Sequence, residues 1–137
     1  MPFVLDASVA ACWAFDDEDH PSAAAALSRM RDDDALVPGI WWCEVRNTLI
    51  VSERRGRIAE ADSTRFLRNL SRLGIAVDRA AVEEDILALA RRHRLTVYDA
   101  SYLELARRQL LPLATLDAAL ASAALTENVF PIASQAR

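Results

Sequence analysis

The chain has 137 residues, of which 53% are apolar and 26% charged, and a formal net charge of -4. That length suits one domain, residues 1–137, with a core large enough to need neither disulfide nor structural metal. All 16 basic residues are arginine and only 3 glycines occur, which excludes Schiff-base lysine chemistry, a phosphate-binding lysine behind a glycine-rich loop, and any Rossmann or Walker fingerprint.

The first element, FVL (Phe3–Leu5), is an apolar run that reads as a buried strand and ends at Asp6. ASVAACWAF follows with helical spacing. PSAAAALSRM is a second helix with Pro21 near its first turn, where a missing N–H does no harm. ALVP (Ala35–Pro38) is the second strand. IWWCEVRNTLIVSERRG is a long helix that closes on arginines and Gly56, which suit a helix C-terminus. EADSTRFLRNLSRLG is helical, and Gly74 marks its stop before a third strand, IAV (75–77). AAVEEDILALARRH and DASYLELARRQ carry apolar residues at three- and four-residue spacing, the second starting at Asp99. LPLAT (111–115) is the fourth strand and ends just before Asp117. DAALASAAL is the last helix. VFPI, near Val129, is a fifth strand that its proline restricts to an edge. Short strands alternating with helices predict an α/β fold, a three-layer α/β/α sandwich around a mostly parallel sheet of about four or five strands.

Cys12 and Cys43 both fall in apolar helical patterns and read as buried free thiols of a cytoplasmic protein. No run approaches about 20 consecutive apolar residues, so no membrane span is expected. MPFVLDASVA has no basic leader ahead of a long apolar stretch, so no signal peptide is expected. His20 lies in a polar loop and His93 among arginines, and both read as surface residues. With no Cys/His cluster in view, zinc is not expected.

In open α/β sheets ligands bind beyond the carboxyl ends of the strands. Asp6 and Asp117 both follow candidate strands and should face that edge. Asp99 opens a helix that can point there too, and Glu44 lies in the first turns of the helix after the second strand. Each acid alone has a second reading, as a helix cap or an exposed helix residue. Together they read differently, because converging carboxylates repel unless a cation neutralises them. An oxygen-only set suits a hard dication, Mg2+ or Mn2+, which can polarise a phosphoryl oxygen and activate water. Ser8, Asn47, Ser101 and Thr115 lie close to these acids in sequence. They either orient carboxylates and metal-bound water or serve in capping and packing, and both readings stand.

Four pieces in order, FVLDASV, VPGIWWCEVRNTL, LTVYDASYLELA and LATLD, resemble the PIN-domain ribonucleases, in particular the VapC-like toxins of bacterial toxin–antitoxin pairs. The resemblance spans essentially the whole chain. It implies Asp6, Glu44, Asp99 and Asp117 as the catalytic, metal-binding acids, with Ser8 and Thr115 as site neighbours and Asn47 as support for Glu44. It implies cleavage of RNA by metal-activated water, a homodimer, and silencing by a VapB-like antitoxin whose tail lies over the groove. Ala118 and Ala119 follow Asp117, where relatives often carry a further acid.

Arginines at 54, 55, 57, 91, 92, 94, 107 and 108 either hold RNA phosphates or complement helix C-termini. Arg46, beside Glu44, is placed best for RNA. Of Trp41 and Trp42, one reads as core and the other as core or dimer interface, with stacking on bases an alternative. The acidic runs DDEDH and RDDDA read as solvated loops and caps. A non-catalytic PIN-like module binding RNA or protein is the competing expectation for the whole chain. A phosphoacceptor domain is disfavoured by the missing lysine.

Overall fold

The structure is a computed structural model and describes residues 1–132. Four strands, β1 (Phe3–Leu5), β2 (Ala35–Pro38), β3 (Ile75–Asp78) and β4 (Leu113–Ala114), form one sheet in the order β3-β2-β1-β4. Every pairing is parallel. Parallel strands are covered on both faces, and all three residues of β1 are buried. The expected fifth strand is reduced to one isolated parallel bridge between Leu113 and Pro131. A proline has no N–H with which to continue a ladder, so among the described residues β4 gains no full partner on that side.

The helices are α1 (Ala7–Cys12), α2 (Pro21–Arg29), α3 (Ile40–Arg54), α4 (Glu60–Leu70), α5 (Glu83–His93), α6 (Val97–Gln109) and α7 (Ala118–Thr126). Two boundaries differ from expectation. The first helix stops at Cys12, and a turn takes up residues 13–14. The sixth begins two residues before Asp99, because Thr96 is its N-cap and accepts a hydrogen bond from the Asp99 N–H at 3.1 Å. Asp99 is therefore a first-turn residue and not the cap.

The chain runs from β1 outward through β2 to β3, then back past β1 to β4, and parallel crossovers of this kind are right-handed as a rule. Reversing direction puts the later helices on the opposite face. Accordingly α1 packs on α2 and α3, whereas α6 packs on α5, α7 and three strands. In α6, Ala100, Tyr102, Leu103, Leu105 and Ala106 are buried. In α3 the buried stripe is Trp41, Val45, Leu49 and Ser52. Cys43 lies off that stripe and is exposed, which corrects its expected burial. Trp42 is 56% exposed for the same reason. Among the described residues no helix is long and apolar enough to cross a membrane.

Candidate metal centre

The carboxyl ends of β1 and β4 lie side by side where the order of strands reverses, the crevice that ligands occupy in such sheets. Asp6 follows β1 directly, is 5% exposed, and donates its N–H to the Ala114 carbonyl at 3.0 Å. Thr115 Oγ1 and Ser8 Oγ both donate to Asp6 Oδ2, at 2.6 and 2.8 Å. Those hydroxyls also accept, Thr115 from the Asp117 N–H at 3.0 Å and Ser8 from the Leu116 N–H at 3.1 Å. The two strand ends are thus joined through the side chains that hold Asp6. Asp117 is the N-cap of α7, with Oδ1 accepting from the Leu120 N–H at 3.0 Å.

Glu44 stands in the second turn of α3, half-buried, and accepts a hydrogen bond from the Tyr102 hydroxyl at 2.6 Å. The same hydroxyl accepts from the Ala7 N–H at 3.3 Å. Tyr102 is 0% exposed and links α6, α3 and the residue after Asp6. Asp99, half-buried, lies one turn before Tyr102 on α6.

Burial is the first cause that pushes the carboxyls of Asp6, Glu44 and Asp99 above their ordinary range. Their mutual charge adds to it. Asp117 and Asp6 act on Asp99, Asp6 and Asp99 on Glu44, and Asp117 on Asp6. The Thr115 and Ser8 hydrogen bonds oppose the rise at Asp6, and Tyr102 opposes it at Glu44. No arginine is among the groups acting on these three acids. Clustered carboxylates, with no cation among the groups acting on Asp6, Glu44 and Asp99, fit a hard, oxygen-seeking dication. No three of them bring their oxygens within 4.8 Å of one another. That spread suits an ion that keeps several of its waters and takes only one or two carboxylates directly.

The remaining candidates are placed otherwise. Ser101 Oγ donates to the Val97 carbonyl of its own helix at 2.8 Å and not to an acid. Asn47 is exposed, and among the described residues no hydrogen bond joins it to Glu44, whose support comes from Tyr102. Arg46 donates to the Trp42 carbonyl at 3.2 Å, and its guanidinium lies 4.0 Å from the centre of the Trp42 ring. Sequence reasoning missed Tyr102. Its signal was a residue with a polar tip in an apolar stripe, three positions after Asp99. It also missed Thr96, although Thr96 and Asp99 have the spacing of a capping box.

Several arginines expected to choose between RNA and helix ends are held in ion pairs. Arg108 binds Glu104 and Asp78, Arg92 and Arg107 bind Glu127, and Arg57 binds Asp17 and Glu18. His93 is not a surface residue: its largely buried ring lies 2.6 Å from Glu127. Cys12, Glu18 and His20 come within 4.8 Å of one another, so a Cys/His cluster is present after all.

Residues 3–125 match the PIN domain family. Ribonuclease VapC3 of Pyrobaculum aerophilum is 35% identical over 124 residues, covering 88% of this chain and 93% of the relative. The crystal structure of PAE2754 from Pyrobaculum aerophilum matches with a TM-score of 0.72 at 23% identity, over 90% of this chain and 84% of that one. This second likeness is one of fold.

Proposed function

The chain belongs to the PIN-domain family, and from that premise we propose that it is an endoribonuclease toxin that cleaves RNA with a carboxylate-held Mg2+ or Mn2+. The observation that carries this reading is the set of uncompensated acids at the β1/β4 crevice. Asp6, Glu44, Asp99 and Asp117 are the residues that would hold the ion, one or two directly and the others through its waters. When bound, it would polarise a phosphodiester oxygen and supply a nucleophilic water near neutral pH.

The chain's own groups prepare that chemistry. Thr115 and Ser8 fix one oxygen of Asp6 and leave the other without a side-chain donor among the described residues. Tyr102 fixes Glu44. The amino end of α6 favours the charge of Asp99. Arg46 and Trp42, stacked on each other across one turn of α3 and each two residues from Glu44, offer a cation and an aromatic face to a phosphate and an unpaired base. The likeness to a VapC ribonuclease supports RNA as substrate. On the same ground we assign a VapB-like antitoxin as partner, a homodimer as the assembly, the cytoplasm as location and residues 1–137 as one working domain.

The test is cleavage of total RNA by the purified full chain, freed of any bound partner, first with chelator and then with Mg2+ or Mn2+. Cleavage is expected only with metal, and Asp6→Asn should lose it. RNA cut equally well in chelator would sink the metal reading. RNA left intact with either ion, but still retarded with the protein on a gel, would leave a binding module in its place.

A further inference from the structure

We propose that Cys12, Glu18 and His20 form a second metal site, distinct from the acidic crevice, for a borderline divalent cation of the zinc type. Cys12 is the last residue of α1, Glu18 lies in the following loop, and His20 is the N-cap residue of α2. One thiol, one carboxylate oxygen and one imidazole nitrogen lie within 4.8 Å of one another. Ligand atoms about 2.0–2.3 Å from a shared tetrahedral zinc stand roughly 3.3–3.8 Å apart, so a small closure of the loop would bring the three ligands onto one ion, with water as the fourth. Sulfur, nitrogen and oxygen together select zinc-like ions, whereas the oxygen-only crevice selects Mg2+ and its kind.

Charge and orientation support the same assignment. A thiolate and a carboxylate balance a dication, and a neutral imidazole adds none, so the ion and its three ligands together carry no net charge. Arg57 holds Glu18 Oε2 at 2.7 Å, which leaves Oε1 turned toward His20 Nε2, 3.5 Å away. Arg57 is itself seated over the Phe15 ring, 4.0 Å from its centre. Ligand carboxylates are typically oriented by such an outer partner. Cys12 is 6% exposed. As the metal–sulfur bond forms, the thiol proton leaves to solvent, so affinity rises with pH. The ion would clip the end of α1 to the start of α2. This assignment does not depend on the ribonuclease reading.

The test uses Co2+ as the probe on the full chain after chelator treatment. Thiolate ligation gives a near-ultraviolet charge-transfer band that an oxygen-only site cannot give. One such Co2+ per chain is expected, displaced by Zn2+, with Zn2+ also raising the melting temperature. Cys43→Ser and Asp99→Asn should keep the band. Cys12→Ser should lose it, and His20→Ala should weaken binding by at least about tenfold. His20 is exposed, so that variant decides the matter if Cys12→Ser fails to fold. No band in the native chain, a band that survives Cys12→Ser, or an affinity untouched by His20→Ala would each overturn the site.

Discussion

Among the described residues, two groups of buried and half-buried acids stand in contrast, one neutralised and one not. At the end of β3 and along α6, Arg108 binds Asp78 through both oxygens, at 2.6 and 3.2 Å, and Glu104 at 2.7 Å. Glu127 accepts from Arg92 at 2.7 Å beside His93. Asp78 and Glu127 are consequently held below the ordinary carboxylate range, chiefly by the hydrogen bonds from Arg108 and His93. At the crevice, Asp6, Glu44 and Asp99 are held above it, chiefly by burial. The same helix, α6, contributes to both sets, through Asp99 at its start and Glu104 and Arg108 further on.

The difference separates acids that hold the fold from acids that the fold tolerates. A lowered folded-state pKa stabilises above the unfolded value, and that stabilisation is lost as pH falls. This is the case of Asp78 and Glu127. A raised one does the reverse: the penalty appears as pH rises from the unfolded value through the folded one, and acidification relieves it. This is the case of Asp6, Glu44 and Asp99, so charging the crevice weakens the protein toward neutral pH unless a cation neutralises it. A charge cluster left unneutralised at an energetic cost suits a binding site and does not suit a structural network.

The sharpest way to break this contrast is Asp99→Asn. Cleavage should fall by more than the roughly 10–100-fold that loss of an outer-shell partner of a metal costs. The melting temperature of the metal-free chain should stay level or rise, since one repelling charge is gone and Thr96, not Asp99, caps the helix. Single-turnover cleavage alongside a thermal melt reads both. Full activity in a protein that melts several degrees lower would assign Asp99 to the structural set.

Arg108→Ala probes the other set and should invert the result. It strands Glu104, 3% exposed, together with Asp78. Removing one partner of a buried ion network costs about 3 kcal/mol, visible as a lower urea midpoint, while cleavage per folded molecule holds. A loss below about 1 kcal/mol, the ordinary worth of an exposed pair, would place this network in solvent and remove the contrast.

Which of these features could be read in the sequence follows from how far apart the interacting groups lie. Asp6 and Asp117 each come just after a short apolar run, so their positions at strand ends were legible. The start of α6 was not, because Val97 and Tyr98 favour strands and hid a first helical turn behind Thr96. Cys43 was misplaced because apolar content was read without phase. The buried stripe beginning at Trp41 advances in steps of about one turn and leaves Cys43 outside. Cys12, Glu18 and His20 have no recognised zinc spacing, and only the turn after α1 brings them together. The Tyr102–Glu44 bond joins positions 58 residues apart, which no local pattern reports.

Tyr102→Phe tests that last contact and has the smallest expected effect. The ring stays, so packing is preserved, but Glu44 loses its donor and the buried Ala7 N–H loses its acceptor. An unsatisfied buried group costs about 1–3 kcal/mol, and the lower end applies here because Ala7 lies near the crevice. Cleavage should fall by roughly tenfold, as for the loss of an outer-shell partner. A purely structural role for Tyr102 predicts the same loss of stability, so the pH profile decides. The Tyr102 hydrogen bond lowers the pKa of Glu44 against burial and the charges of Asp6 and Asp99. Without it Glu44 takes up its proton at higher pH, and the acid limb of the cleavage profile should move upward. A limb that does not move would make Tyr102 a core residue and leave Glu44 to be positioned by α3 alone.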